Sequence, residues 1–375
     1  MILMKALRKI LHRLEELRLS GEPSALATLV SVRGSAYRHP GARMLFSKKG
    51  REAGFVSAAC LEADLFEKVK DVIASGKPAL LSYDTTAPED AVFGIGQGCA
   101  GFVEILIEPT RIGQTEQSLA LMQTVSEQNE LCALATVYKS DGVNSEAIGA
   151  KLLFTVSGRK ISSLIQTELS KNIMGDIEQS LLTRQSTVKH YDYSKSTAEV
   201  FIEVIQPSAP LLIFGATPDV GPLVRLAGEL NWNITVVDHR SVYAVEKDFP
   251  EADDVLLLSP EDYIQHLHPT PETSAVIMIH QFAAEANALR FLLSSTVRYV
   301  GLLGPKSKCD LLLQHLASEG FTMTEEQLAK LHNPVGLDLG AETAEEIAIS
   351  IVAEIQAVIH NRHGGFLKNR QGPIH

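Results

Sequence analysis

Gly41-Ala-Arg-Met-Leu-Phe46 recurs later in the chain as Gly149-Ala-Lys-Leu-Leu-Phe154, and this repetition decides the fold of the N-terminal half. A second pair, Ala25-Leu-Ala-Thr28 and Ala133-Leu-Ala-Thr136, recurs at the same spacing. Two matches at one spacing indicate a duplicated unit rather than chance. The residues that both copies share are those expected to build the scaffold.

The two copies differ at their cysteines. Cys60 follows Ala58 and Ala59 in the first copy, and the aligned position in the second copy is Glu168. Cys99 lies in a glycine-rich run of the first copy and also has no counterpart. Because these residues are not needed to form the repeated scaffold, we expect the chemistry of the protein at or near them.

The composition limits the class of protein. The chain has 375 residues, of which 45% are hydrophobic and 21% charged, as is typical of a globular protein with two domains. Its formal net charge of −11 argues against nucleic-acid binding, which depends on Lys and Arg neutralising phosphates. No apolar run approaches the length of a membrane span, and the four cysteines form no CxxC pair. These features predict a cytoplasmic protein.

The order of apolar runs predicts a mixed α/β chain in two parts. Residues 1–207 are expected to form a duplicated α+β domain, with repeats at about 23–109 and 131–207 that stack as one α+β layer. The cluster Gln206-Pro-Ser-Ala-Pro210 marks the boundary.

Strands and helices alternate over residues 211–375, which predicts a Rossmann-like domain with a parallel sheet. Its strands are expected at 211–214, 234–238, 254–258, 275–280 and 299–303. A capping box of Thr343 and Glu346 predicts the start of the last helix.

The first turn of the second domain resembles a dinucleotide-binding motif. Gly215-Ala-Thr-Pro-Asp-Val-Gly221 lies between a strand and a helix, and Asp238 ends the next strand, where such motifs place an acid for a ribose hydroxyl. The motif is incomplete, because Thr217 replaces the glycine that lets the backbone approach a pyrophosphate. Two interpretations of Asp238 stay open: a nucleotide ligand, or a solvated acid at a strand end.

Two other candidates follow later strands of this domain. Gly301-Leu-Leu-Gly-Pro-Lys-Ser-Lys308 places Gly304 and Lys306 in a turn that suits a phosphate, including that of a pterin, or is simply a turn with exposed lysines. His280 lies at the edge where α/β folds bind ligands, and Glu285 is placed to orient it. A hydrogen-bonded structural role is the alternative for His280.

Cys60 and Cys99 are the candidate thiol groups. Cys60 lies next to Glu62 where a helix should begin, and a helix N-terminus lowers the pKa of a thiol and favours the thiolate that binds metals or attacks sulfur. The alternative is a small buried hydrophobe, which is the interpretation for Cys132 and Cys309.

Arg43 is the candidate anion ligand of the N-terminal half. Arginine suits bidentate recognition of a phosphate. The second copy has Lys151 at the same position, however, so the positive charge has a scaffold role as its alternative.

A series of short motifs runs in order along most of the chain. They are Gly34-Ser-Ala-Tyr-Arg-His-Pro-Gly-Ala-Arg-Met44, Val56-Ser-Ala-Ala-Cys-Leu-Glu62, residues 94–101, Phe214-Gly-Ala216, Val237-Asp-His-Arg240, Tyr299-Val-Gly-Leu-Leu-Gly304 and His332-Asn-Pro-Val-Gly-Leu-Asp-Leu-Gly-Ala341. In this order they resemble the xanthine dehydrogenase accessory factor family, XdhC/CoxI. The resemblance rests on the collinearity of the motifs.

The resemblance implies an accessory protein rather than a catalyst. Such a protein binds the molybdenum pyranopterin cofactor as cargo, helps it acquire its terminal sulfur and delivers it to a xanthine dehydrogenase-type molybdenum hydroxylase. A cytoplasmic homodimer is also implied, with a cysteine desulfurase as candidate sulfur donor. Cys60 would then contact the metal. The full set of expected cofactor-binding residues is Arg43, Cys60, Glu62, Cys99, Gly215, Asp238, His280, Gly304 and Lys306.

Departures from the family pattern keep alternatives open. Ala58 and Ala59 stand where the family has a glycine pair, and Thr217 stands where it has a glycine. One alternative is an NAD(P)-dependent oxidoreductase with Asp238 on the ribose and His280 as proton donor. Another is a scaffold that binds a partner dehydrogenase without a ligand of its own.

Overall fold

A computed structural model describes residues 2–34, 36, 38–56, 62–84, 101–110, 122, 130–143 and 145–371. Its contacts divide the chain into two compact units, Met1–Pro207 and Ser208–His375. The fold is mixed α/β, with antiparallel sheets in the N-terminal unit and a parallel sheet in the C-terminal unit, so the predicted fold class is confirmed. No helix in the described ranges is long and apolar enough to cross a membrane.

The N-terminal unit contains two sheets of the same topology. The first has the order β4-β3-β2-β6-β5 and the second β9-β8-β7-β11-β10. The first comprises β2 (Ser24–Gly34), β3 (Arg43–Ser47), β4 (Gly50–Gly54), β5 (Ala79–Asp84) and β6 (Gly101–Pro109). The second comprises β7 (Cys132–Gly142), β8 (Lys151–Thr155), β9 (Lys160–Ser162), β10 (Thr187–Tyr193) and β11 (Ser196–Gln206), with the short β1 (Ile2–Leu3) parallel to β11.

The register of the strands is also the same in both sheets. Ala25 pairs with Phe46 across β2 and β3, and Ala133 pairs with Phe154 across β7 and β8. These are the motifs that recur in the sequence. The repeated residues therefore specify strand pairing, as their apolar character suggests.

The repeats do not stack as one α+β layer, and that expectation is wrong. Helix α2 (Glu62–Ser75) packs on the outer face of the first sheet and α3 (Thr167–Thr183) on the outer face of the second. The inner faces of the two sheets share apolar clusters, to which α1 (Met4–Leu19) adds leucines. Because β2 and β7 are buried on both faces, each sheet needs a helix on one side and the other sheet on the other side.

Two buried ion pairs connect the repeats across this inner layer. Arg43 of the first repeat donates to both carboxylate oxygens of Glu203 in the second, and Lys151 of the second donates to Glu108 in the first. Each basic group also donates to a glycine carbonyl two residues before it. Burial opposes ionisation of Arg43, but Glu203 outweighs burial and raises the pKa of the guanidinium. Arg43 and Lys151 are at equivalent positions of the two repeats, as are Glu108 and Glu203. Each repeat therefore supplies the acid that pairs with the base of the other.

The C-terminal unit has a six-stranded parallel sheet of order β14-β13-β12-β15-β16-β17. Its strands are β12 (Pro210–Phe214), β13 (Asn233–Asp238), β14 (Asp254–Leu257), β15 (Ser274–Ile277), β16 (Tyr299–Leu302) and β17 (Leu331–His332). Strand β15 ends three residues earlier than expected, and β17 is additional to the expected strands because two residues carry no periodic signal. The order reverses between β12 and β15, which is the switch point of a doubly wound sheet.

Helices cover both faces of this sheet. They are α4 (Gly221–Glu229), α5 (Tyr263–His266), α6 (Phe282–Ser294), α7 (Lys306–Ser318), α8 (Glu325–Ala329) and α9 (Ala344–Ile359). Helices α4 and α9 pack on one face, and α5, α6 and α7 on the other. The capping box of Thr343 and Glu346 begins α9, so that prediction is confirmed.

Replacing Glu203 tests the reciprocal pairing. Glu203→Gln leaves Arg43 buried without its counter-ion, so we expect a loss of about 3–5 kcal/mol from the free energy of unfolding in urea. Arg43→Met combined with Glu203→Leu should recover most of that loss, because neither buried charge then remains. Far-UV circular dichroism follows the secondary structure of both units, while the single tryptophan, Trp232, reports the C-terminal unit, so a transition seen by circular dichroism alone belongs to the N-terminal unit.

The matched control is Lys70→Ala, which removes an exposed pair with Glu67 on α2 and should change stability little. A Glu203→Gln protein as stable as the wild type would contradict the structural role of the pair.

Candidate functional site

The carboxyl edge of the parallel sheet is the candidate functional site. All six strands run in the same direction, so the segments that follow them meet at one edge, where doubly wound folds bind ligands. Five of the residues predicted from the sequence lie there: Gly215, Asp238, His280, Gly304 and Lys306.

Gly215 follows β12 in a conformation that requires glycine. Its φ is +116°, and a Cβ atom there would lie 2.7 Å from the carbonyl oxygen of Met278. This close approach packs the first turn against the end of β15. Two residues on, the hydroxyl of Thr217 is buried without a hydrogen-bond partner among the described residues.

Asp238 is buried and accepts four hydrogen bonds. Its Oδ2 accepts from Ala216 N at 2.9 Å and from the Arg240 guanidinium at 2.8 Å, and its Oδ1 accepts from Arg240 N and Nε at 2.9 Å. Burial opposes ionisation, but the hydrogen bonds from Arg240 and Ala216 outweigh it and lower the pKa of the carboxyl. Asp238 is therefore not solvated, and both of its carboxylate oxygens accept hydrogen bonds from other residues of the chain.

This geometry does not fit a dinucleotide. An acid that binds a ribose needs a free carboxylate oxygen at this point, and the oxygens of Asp238 are used by Arg240 and Ala216. Thr217 also occupies the place of the glycine that would admit a pyrophosphate. The guanidinium of Arg240 in turn stacks on Tyr243, with Cζ 4.3 Å from the ring centre.

Two polar contacts bridge the switch point. His280 Nε2 lies 3.3 Å from Asp219 Oδ2, joining the segment after β15 to that after β12. His239 Nε2 lies 3.0 Å from Gln281 Oε1, joining the segments after β13 and β15. The histidine expected to act with Glu285 therefore pairs with Asp219, and that expectation is wrong. Glu285 lies on the face of α6 that packs toward α7.

Glu285 forms a second polar centre with Lys308. The Glu285 side chain is 0% exposed, its Oε1 accepts from Lys308 Nζ at 2.5 Å, and its Oε2 has no partner among the described residues. Gly304, at φ +120°, lies against Lys308: a Cβ there would be 3.3 Å from Cδ of the lysine. Asn333 Nδ2 donates to the carbonyl of Gly304 at 2.8 Å, and its Oδ1 also lacks a partner.

Sequence reasoning finds this centre only in part. It identifies Gly304 and Lys306, and Lys306 is the exposed first residue of α7. The pairing of Glu285 with Lys308 joins two helices and carries no local sequence signal. In the sequence, Asn333 is part of a family motif and has no other functional signal.

Arg43 is placed differently from the other candidates. Its side chain is 4% exposed and bonded to Glu203, which favours the scaffold interpretation over phosphate recognition. Glu62 is the first residue of α2. Cys60 and Cys99 lie outside the described residues. Cys132 and Cys309 are buried, as expected, and burial raises the pKa of the Cys132 thiol to about 12.

The repeats differ most where β5 joins β6. Residues 85–100, which include Cys99, join these strands, whereas the equivalent β10 and β11 are joined by Ser194 and Lys195 alone. The longer connection is an addition to the repeated scaffold. Within the described ranges, no three His, Cys, Asp or Glu residues cluster as a metal site.

Two family descriptions match the chain. The XdhC and CoxI family matches residues 17–84, and the XdhC Rossmann domain matches residues 211–355. A Bacillus subtilis (strain 168) protein, named as a probable subunit of xanthine dehydrogenase, is 32% identical over 337 residues, covering 89% of this chain and 92% of the relative. The chain therefore belongs to the XdhC/CoxI family, and the resemblance drawn from the ordered motifs is confirmed.

Two further similarities extend over nearly the whole chain. The molybdenum cofactor insertion chaperone PaoD of Escherichia coli (strain K12) is 22% identical over 351 residues, covering 94% of this chain and 88% of PaoD. A solved structure described as a xanthine dehydrogenase from Bacillus halodurans has a TM-score of 0.74 and 29% identity. It covers 94% of this chain and 96% of that one.

Asp238→Asn tests the internal role of this acid. The substitution removes the buried charge that pairs with Arg240, which is itself partly exposed, so we expect about 1–3 kcal/mol of destabilisation at pH 7, measured by urea unfolding with Trp232 fluorescence. Because the pKa of Asp238 is lowered on folding, its contribution is present above the unfolded value of about 3.9 and lost as the pH falls through the lower folded value. The difference between variant and wild type should therefore shrink below about pH 4.

Asp248→Asn, at an exposed position in the same unit, is the control and should leave the unfolding midpoint unchanged. A pH-independent difference between Asp238→Asn and the wild type would contradict the ionised pair.

Titration with NADH tests the nucleotide alternative. Because Asp238 has no free acceptor and Thr217 fills the glycine position, we expect no saturable change in nicotinamide fluorescence. Saturable, tight binding would restore the oxidoreductase interpretation.

Proposed function

We propose that this protein is an accessory factor that carries the molybdenum pyranopterin cofactor to a xanthine dehydrogenase-type molybdenum hydroxylase. The observation that carries the proposal is similarity along nearly the whole chain to two proteins whose names refer to this system. One is named as a probable part of a xanthine dehydrogenase and the other as a molybdenum cofactor insertion chaperone. The proposed role is delivery of the cofactor, not catalysis of a reaction.

The polar carboxyl edge of the C-terminal sheet supports a cargo with several hydrogen-bonding groups. Thr217, Glu285 and Asn333 each present a buried side-chain atom without a partner among the described residues. Unpaired buried polar atoms cost free energy, and a polar ligand that supplies the missing hydrogen bonds would recover it. In this proposal the exposed Lys306, in the first turn of α7, contacts the cofactor phosphate. Arg43 has no part in this scheme, since its charge is used by Glu203.

Cys60 supplies the thiolate of the proposed scheme. Soft sulfur is a suitable ligand for a metal that carries a terminal sulfur, so this thiolate contacts the molybdenum. Alternatively, it attacks the outer sulfur of a persulfide on the donor, which forms a Cys60 persulfide and releases the donor's thiolate. The sulfur then originates from a cysteine desulfurase, and the protein acts as a cytoplasmic homodimer. Cys60 and the Cys99 connection belong to the first repeat alone, which is consistent with a function added to a duplicated scaffold.

Cofactor content after anaerobic purification from cells supplied with molybdate tests the proposal. We expect near-stoichiometric molybdenum and fluorescent oxidised pterin with the wild type, and loss of both with Cys60→Ser. Cys309→Ala is the matched control, since that cysteine is a buried residue of α7, and it should retain both.

A folded wild-type protein that contains neither molybdenum nor pterin would contradict the carrier function. Full cofactor content and full activation of a client hydroxylase with Cys60→Ser would remove Cys60 from the scheme.

A further inference from the structure

The centre formed by Glu285 and Lys308 has a carboxylate oxygen without a hydrogen-bond partner among the described residues and an ammonium group with further N–H donors. Glu285 is completely buried, yet only Oε1 is bonded among the described residues, and an ionised carboxylate can accept at both oxygens. The Lys308 side chain is 30% exposed and has three N–H donors, one of which is directed to Glu285. Lys308 is therefore the partly exposed partner of a fully buried carboxylate.

A third group, Asn333, contacts the same Gly304 turn. Asn333 holds this turn through Nδ2, with bonds of 2.8 Å to Gly304 O and 3.0 Å to Leu302 O. Its amide N–H groups are thus used, and Oδ1, which has no partner within the described ranges, is left as an acceptor. The turn between Lys308 and Asn333 has no side chain, because Gly304 adopts a φ of +120° that other residues rarely adopt.

We propose that this centre binds the 2-amino-4-oxopyrimidine edge of a pterin. That edge carries an amino group, a ring N–H and a carbonyl oxygen in a row. The two donors match the acceptors Glu285 Oε2 and Asn333 Oδ1, neither of which has a partner in the described part of the chain, and the carbonyl oxygen matches a remaining N–H of Lys308. Hydrogen bonds to the two charged groups are the strong ones. The proposal rests on the proposed cargo function and specifies which part of the cargo the C-terminal unit recognises.

Guanine presents the same row of groups, so two sources share this chemistry. The pterin is favoured because the adjacent nucleotide-type turn is closed by Thr217, Arg240 and Asp238, which leaves no place for a nucleotide ribose in the usual position. The test must therefore compare both ring systems.

Fluorescence titration of the full chain with pterin and with lumazine tests the proposal. Lumazine has an oxo group where pterin has the amino group, so it turns one matching donor into an acceptor. We expect lumazine to bind at least about tenfold more weakly to the wild type, which corresponds to about 1.4 kcal/mol. Glu285→Gln should weaken pterin binding by at least the same factor, whereas Glu319→Gln, an exposed acid at the end of α7, should not.

Equal binding of pterin and lumazine would overturn the assignment, and so would unchanged pterin binding by a folded Glu285→Gln protein. The lumazine comparison uses the wild type, so it holds even if the variant fails to fold. Tighter binding of GMP than of pterin would reassign the centre to a guanine nucleotide and overturn the pterin proposal.

Cofactor content separates this inference from the carrier function. If Glu285→Gln retains molybdenum and pterin as the wild type does, the Glu285 centre is wrong while the carrier function stands. If the purified wild type lacks the cofactor but binds pterin in a manner that depends on Glu285, the carrier function is wrong while the centre stands.

Discussion

Two buried ion pairs, Arg43 with Glu203 and Lys151 with Glu108, are the constraint on which the N-terminal unit depends. A buried charge is costly unless it is paired, and here each repeat holds the partner of the other. Neither inner sheet face can therefore be buried alone. The two repeats thus depend on each other, and they differ in the connection between their last two strands, which is residues 85–100 in the first repeat and Ser194 and Lys195 in the second.

A comparable polar network organises the C-terminal unit. Asp238 stands where a dinucleotide-binding fold would present a free acid, but it accepts hydrogen bonds from Ala216 and Arg240 and so joins two strand ends. Two other polar groups of this edge, Glu285 and Asn333, are left with unpaired acceptors among the described residues. The usual nucleotide position thus has a structural role, and the polar-ligand site that we propose lies one crossover further, between β15 and β17.

Sequence patterns predict the main elements because these elements are long or repeated. The order of short apolar runs predicts the parallel strands β12 to β16, and the capping box predicts the start of α9. Strands β4, β9 and β17 escape prediction, since they are short or polar and exist only through pairing with a neighbour. The single-layer expectation fails because periodicity shows that a strand is buried on both faces but not what covers it.

By itself, the sequence determined the duplication, the Rossmann-like alternation and the family, because each of these depends on local patterns of apolar residues and glycines. Only the tertiary structure decided which charges meet. The partners of Arg43, His280 and Glu285 are distant in sequence or on separate elements, so no spacing rule could assign them. Charge pairing is fixed by how sheets and helices pack, and for that reason the chemistry of the candidate site could be described only once the fold was known.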